Sequence, residues 1–151
     1  MSAICLRAEA KLVTAFQDAD PMGVVYHGNY FRYFEEARRL LMEKIDYGYR
    51  AMEASGYLWP VIDAKVRYIR AIEYNKPIKV IATLAEWENR LKVNYLIVDA
   101  ASNERLCKAH TVQVPVTIEG QEMQFAAPPV LKEKLLAYAA VSKELGEIFH
   151  D

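Results

Sequence analysis

The segment Phe16-Gln17-Asp18-Ala19-Asp20-Pro21-Met22-Gly23-Val24-Val25-Tyr26-His27-Gly28-Asn29-Tyr30 gathers the side chains best suited to chemistry. Two acids sit two apart on an extended or turning stretch. Pro21 cannot donate a backbone hydrogen bond, and Gly23 permits an unusual backbone angle. His27 and Asn29 then fall where a long helical pattern begins. A carboxylate, an imidazole and the free N–H groups of a helix start therefore share one short loop. Those parts suit hydrolysis of an acyl bond. The carboxylate attacks the carbonyl carbon or activates a water. Helix-start N–H groups, aided by the dipole, stabilise the charge that develops on the carbonyl oxygen. Losing one such donor typically raises a barrier by about 2.7–4 kcal/mol. A blander reading stands beside this one. An Asp before Pro and Gly is a common turn former, and a His before a helix is often a cap or a surface residue. Reading Asp18, Asp20 and His27 as metal ligands is weaker, because His110 and His150 are isolated and no second cluster exists. The expected metal set is none.

The elements around this loop are legible from periodicity. A first strand is expected from about Glu9 to Phe16, followed by the turn-rich segment Gln17 to Asn29. Tyr30, Phe34, Ala37, Leu41 and Ile45 recur at three-and-four spacing, with Tyr33 and Leu40 widening the stripe, which predicts a long helix. Asn29 is its expected N-cap, and Gly48 and Gly56 bracket a second, less regular segment. After Pro60 the period becomes two. Ile62, Ala64, Val66 and Tyr68 alternate with Asp63, Lys65 and Arg67, as in a half-buried strand. Ile78 to Trp87, Lys92 to Asp99 and Leu106 to Thr117 read as three more strands. Glu88-Asn89-Arg90 and Ser102-Asn103 sit where tight turns belong, so these three form an antiparallel meander. Pro128 and Pro129 open a closing helix that extends toward Glu147.

A long apolar helix between a first strand and an antiparallel meander has one economical solution, in which the sheet curls around the helix. The expected class is α+β: a hot-dog fold, with a curved antiparallel sheet wrapped around a long central helix and a C-terminal helix. No linker, low-complexity run or repeat divides the 151 residues, so residues 1–151 read as one domain. The chain is 53% hydrophobic and 26% charged with a net charge of −1, which excludes extended disorder and the basic stripe of a nucleic-acid binder. Cys5 and Cys107 match no metal or redox spacing and read as thiols in a reducing compartment. With no apolar run long enough to span a membrane and no signal-peptide pattern, a cytoplasmic protein is expected.

At Asp18 to Tyr30, continuing into Phe34-Glu35-Glu36-Ala37-Arg38, the sequence resembles the 4-hydroxybenzoyl-CoA thioesterase-like family of hot-dog proteins, especially its bacterial short-acyl-CoA branch. Pro60-Val61-Ile62-Asp63-Ala64-Lys65-Val66-Arg67-Tyr68 is a second match, and the similarity in layout covers most of the chain. The resemblance implies an acyl-CoA thioesterase that releases a carboxylic acid and coenzyme A. It implies that Asp20 is the catalytic carboxylate, as nucleophile or general base, and that Asp18 is not. The backbone N–H of His27 matches the group that polarises the thioester carbonyl. The His27 side chain looks like the family's histidine, while Tyr26 and Asn29 match positions around the pocket, a structural role being open for Asn29.

Such a reaction needs no cofactor, because coenzyme A is part of the substrate. Its phosphates call for cations, and Arg90 and Lys92 in the turn Asn89 to Lys92, with Arg67 and Arg70, are the candidates against a reading as ordinary solvated charges. Tyr26, Tyr30, Tyr57 and Trp59 are candidates to line an acyl pocket, although aromatic residues are more often simply core. The branch resemblance favours a short or medium acyl chain. A curved sheet with long edges must have them covered or paired, and the fold implies a homodimer or homotetramer with active sites at the two-fold interface. Two other readings remain open: a non-catalytic acyl-thioester-binding scaffold, and a thioesterase acting on acyl groups carried by acyl carrier protein.

Overall fold

The computed structural model describes residues 6–142. Five strands form one antiparallel sheet: β1 (Arg7–Val13), β3 (Val61–Tyr68), β4 (Pro77–Glu86), β5 (Leu91–Asp99) and β6 (Arg105–Gln113), in the order β1-β4-β5-β6-β3. A two-stranded pair, β2 (Tyr57–Leu58) and β7 (Val116–Thr117), lies beside it. The long helix α1 is Tyr30–Lys44, the short α2 is Tyr49–Ala54 between the two glycines, and α3 is Pro129–Ser142. The predicted extension of α3 toward Glu147 lies outside the described residues, as does Cys5.

Sequence periodicity explains how α1 meets the sheet. Tyr30, Tyr33, Phe34, Ala37, Leu41 and Met42 are its buried residues, and they face the alternating stripes Ile78, Val80, Ala82, Leu84 on β4 and Leu91, Val93, Tyr95, Ile97 on β5. Phe34 stacks on Tyr95 with ring centroids 4.8 Å apart. Alanines at Ala8, Ala10 and Ala82 keep the sheet surface low where α1 crosses, so the helix packs against β1 and β4. Each fully buried side chain such as Phe34 or Leu41 contributes about 1.5–3 kcal/mol.

Several boundaries move. The first strand is three residues earlier at its end than expected, because Thr14 leaves the ladder and its hydroxyl donates to the Glu73 carbonyl at 2.6 Å. The expected single strand Leu106 to Thr117 divides into β6 and β7 around Val114-Pro115, where Pro115 has no N–H to give a ladder. Asn29 does not cap α1: its backbone is already helical (φ −79, ψ −12) and its side chain makes no capping bond.

The largest departure is β3. It is a strand, but it is exposed on both faces except for a partly buried Val66. The reason is where α1 rests. The helix leans toward β1 and β4 and meets β3 at Tyr68, whose ring centroid is 4.8 Å from that of Tyr30, so most of the inner face of β3 stays open, and β3 is also the sheet edge. A cavity of about 780 Å³ opens beside it, walled by Arg32, Arg38, Met42, Met52, Trp59 and Gln113 among others.

Candidate active site

The chain leaves β1 through one 3-10 turn, Phe16–Asp18, and enters α1 through another, His27–Asn29. Between them, residues 19–25 form a narrow arch. The Tyr26 N–H donates to the Asp18 carbonyl at 2.9 Å, Ala19 pairs with Val25, and the Asp20 N–H donates to the Val24 carbonyl at 2.8 Å. The return limb is stitched to the rest of the fold by the Val25 N–H on the Ile72 carbonyl at 2.7 Å.

Asp20 opens the turn at the tip. Its carbonyl accepts the Gly23 N–H at 3.0 Å, and Gly23 takes φ +83, a conformation that side chains with a Cβ rarely adopt. One carboxylate oxygen, Oδ1, accepts the N–H groups of Met22 (2.8 Å) and Val24 (3.4 Å). No donor among the described residues engages Oδ2. The turn therefore fixes the carboxylate and leaves one oxygen for other chemistry.

Asp18 has the opposite setting. It is 2% exposed. Its Oδ2 accepts the Tyr33 hydroxyl at 2.8 Å and the Ala15 N–H at 3.3 Å, and its Oδ1 is held by the Arg32 guanidinium. Burial pushes the Asp18 carboxyl up, but the Tyr33 and Ala15 hydrogen bonds and the Arg32 charge outweigh it, leaving it below the usual value. Burial and the Asp18 carboxylate together push the Tyr33 hydroxyl upward, so it stays a donor. Tyr30, also buried, is pushed up to about 12. Asp18 is thus a committed carboxylate, with little left to offer a substrate. No cluster of three His, Cys, Asp or Glu side chains able to hold a metal is present among the described residues.

At the helix start, the His27 and Gly28 N–H groups have no acceptor among the described residues, whereas the Asn29 N–H donates to the Tyr26 carbonyl. The His27 carbonyl accepts the Tyr68 hydroxyl at 3.2 Å, which ties this turn to the end of β3. The His27 ring is exposed and lies against Tyr26 with centroids 4.3 Å apart. Gly28 has a packing reason, since a Cβ there would stand 2.8 Å from the Tyr26 ring.

Of the residues singled out in the sequence, Asp20, Tyr26, His27 and Asn29 lie together on the arch and helix start. The Asn29 side chain donates to the Asp18 carbonyl at 2.9 Å, bracing the arch. Arg67 precedes Tyr68 and so lies at the same end of β3. Trp59, Arg90 and Lys92 lie at the other end, where Val61, Gln113 and Leu91 are in register. From Val61 to Tyr68 that separation is about 23 Å at ~3.3 Å per residue. Trp59 is buried, with its indole N–H on the Tyr47 hydroxyl at 3.2 Å. Arg90 pairs with Glu86 at 3.0 Å. Sequence reasoning missed Arg32, and took Tyr33 only as part of an apolar stripe. A tyrosine inside such a stripe was the available signal, since a buried hydroxyl needs a partner.

Residues 14–136 match the family model described as the thioesterase-like superfamily. The chain belongs to that superfamily. Among curated proteins, it is 31% identical over 88 residues to YneP of Bacillus subtilis (strain 168), whose name carries a proposed acyl-CoA thioesterase activity. That match covers 58% of this chain and 63% of the relative, so the chain spans under two thirds of that protein. The fold superposes on a DHNA-CoA thioesterase from Staphylococcus aureus with a TM-score of 0.78 and 26% identity, covering 91% of this chain and 94% of that one. A mutant 4-hydroxybenzoyl-CoA thioesterase complexed with 4-hydroxybenzoyl-CoA gives a TM-score of 0.74 at 15% identity, covering 85% and 97% of the two chains. The antiparallel sheet with α1 packed on it is accordingly the hot-dog fold, as expected from the element order. No described helix is long and apolar enough to cross a membrane.

Proposed function

We propose that this superfamily member hydrolyses acyl-CoA thioesters to a free carboxylic acid and coenzyme A, with Asp20 as nucleophile or general base. The observation that carries the reading is the Asp20 carboxylate, anchored by Oδ1 to its own turn with Oδ2 unengaged, on an arch whose far foot is a helix start with unpartnered N–H groups. In the general-base form, Asp20 takes a proton from water as the oxygen adds to the carbonyl carbon. In the nucleophilic form, Oδ2 adds and water later cleaves the anhydride. In both, the His27 N–H receives the developing oxyanion, and the C–S bond breaks to release the thiolate, which is then protonated. The chemistry uses no metal or redox cofactor. The thioesterase names of the relatives support the same reaction class.

A second copy of the chain belongs to this reading. The β3 edge and its uncovered inner face favour pairing with another β3 across a two-fold axis. Antiparallel pairing sets the Val61 end of one strand beside the Tyr68 end of the other. The partner's Arg90 and Lys92 would then approach the arch, from which the length of β3 separates them within one chain, and would join the cavity that runs from Arg32, beside Asp18, to Trp59. In this reading Arg67, Arg90 and Lys92 meet the coenzyme A phosphates, and Tyr26 and Trp59 contact the substrate.

The contact between Asp20 and its own turn also favours a second reading, a non-catalytic acyl-thioester-binding protein, because a turn-forming aspartate needs no catalytic duty. Thiol release from acyl-CoA and acyl carrier protein substrates of graded length, with Asp20→Asn alongside, separates the cases. Release that stops in the variant supports hydrolysis by Asp20. Binding without release in the wild type supports the scaffold, and a preference for the carrier protein reassigns the substrate.

A further inference from the structure

We infer that Asp18 is the positioning residue of this site: held by Tyr33 and Arg32, it fixes where the arch bearing Asp20 stands against the helix start. The inference rests on the hydrolase reading for its kinetic consequence but on geometry for its structure. Three segments converge on this one residue. Its carboxylate takes the Ala15 N–H from the β1 exit, and the Tyr33 hydroxyl and Arg32 guanidinium from the first turn of α1. Its carbonyl takes the Tyr26 N–H and the Asn29 amide from the return limb. Asp20 and His27 therefore lie on opposite sides of a single fastening, which limits how far either can shift relative to the other.

A charge at this depth is a costly way merely to fill space. Tyr33 is 4% exposed, so without Asp18 its hydroxyl is left in the interior next to the arch. An aliphatic residue at 18 would keep the carbonyl's bonds to Tyr26 and Asn29 but would lose those to Ala15, Tyr33 and Arg32, which register the arch on the β1 exit and on α1. The benefit of the directional bonds is alignment, and a misplacement of about 1 Å at reacting groups can cost about a hundredfold in rate.

The test compares Asp18→Asn, Tyr33→Phe and the double variant with the wild type, by steady-state kinetics on an acyl-CoA, thermal unfolding and amide hydrogen exchange. Tyr33→Phe keeps the buried ring and guards against misfolding of the first variant. Expected are a kcat lower by about ten- to a hundredfold, KM within about threefold, and a double variant no worse than the poorer single one. Faster exchange is expected at the Met22, Val24 and Tyr26 amides, with the β4–β5 ladder unchanged. A lower melting temperature with unchanged kcat per folded molecule would overturn the inference, as would unaltered exchange in the arch. If the wild type cleaves no acyl-CoA, the hydrolase reading falls, and the exchange comparison decides the positioning role by itself.

Discussion

The Tyr26 N–H donates to the Asp18 carbonyl at 2.9 Å, and this bond closes the base of the arch that carries Asp20. Below it lies the buried Asp18 carboxylate; above it lies the turn with the available Asp20 oxygen. Two acids with one residue between them therefore differ: both Asp18 oxygens are spent on holding the loop, whereas Asp20 spends one and keeps the other unengaged among the described residues. Their surroundings make the difference, and it leads directly to the behaviour of substituted proteins.

Asp20→Asn should keep the turn and lose the chemistry. An asparagine oxygen accepts the Met22 and Val24 N–H groups as Oδ1 does now, so the arch is retained. It offers no base and no anionic nucleophile. Thiol release should fall by at least about a hundredfold while the melting temperature stays near that of the wild type. Equal loss of both would show that the variant had unfolded the site.

The two arch glycines should respond differently to alanine. Gly23 sits at φ +83, so Gly23→Ala strains the backbone and should cost about 1 kcal/mol or more in denaturant unfolding. Gly28→Ala meets the edge of an exposed ring, which can swing away, so its stability cost should be smaller. The swing would take Tyr26 off His27, where the centroids are now 4.3 Å apart. A changed KM with nearly unchanged stability is the expected signature, readable from kinetics and calorimetry on one sample.

Stability should fall on the acid side through Asp18. Its folded carboxyl lies below the ordinary value of 3.8, so the stabilisation is fully present above that value and is lost as the pH falls through the folded one. Asp99, drawn down to about 2 by Lys76 and the N–H groups of Ala101 and Ser102, acts in the same direction. Asp18→Asn should therefore be less stable than the wild type at neutral pH, with the gap narrowing as the pH is lowered below 3.8. Melting curves from pH 7 downward at fixed ionic strength would show it, and a gap independent of pH would rule it out.

Much of this was legible in the chain. The three-and-four stripe from Tyr30 to Ile45 and the alternation along β4 and β5 record local burial, and local burial leaves a period. The Asp-Pro-Met-Gly turn was legible because Pro21 and Gly23 restrict or free the backbone at their own positions. The grip of Tyr33 and Arg32 on Asp18 was not, since it joins residues fifteen and fourteen apart through a turn whose path the sequence does not record. Nor was the exposure of β3. Its alternating pattern correctly promised a strand with an apolar face, but burial of that face does not follow from the pattern, and among the described residues it stays largely open.

That uncovered face gives the last prediction. Ile62 is 51% exposed and Val61 44%, beside a cavity of about 780 Å³. An apolar sheet edge of this kind in water is a template for pairing, and a two-fold pairing of β3 would bring Arg90 and Lys92 of one copy to the arch of the other. The wild type should sediment as a dimer or larger assembly. Ile62→Lys combined with Ala64→Lys places charge on the pairing strand without touching Asp18, Asp20 or His27. The double variant should remain folded, move toward monomer, and lose at least about tenfold in turnover, because its arches would lack the partner's cations. Activity that recovers as protein concentration is raised would tie the loss to assembly. A wild-type monomer with full activity would show instead that one chain builds the whole site.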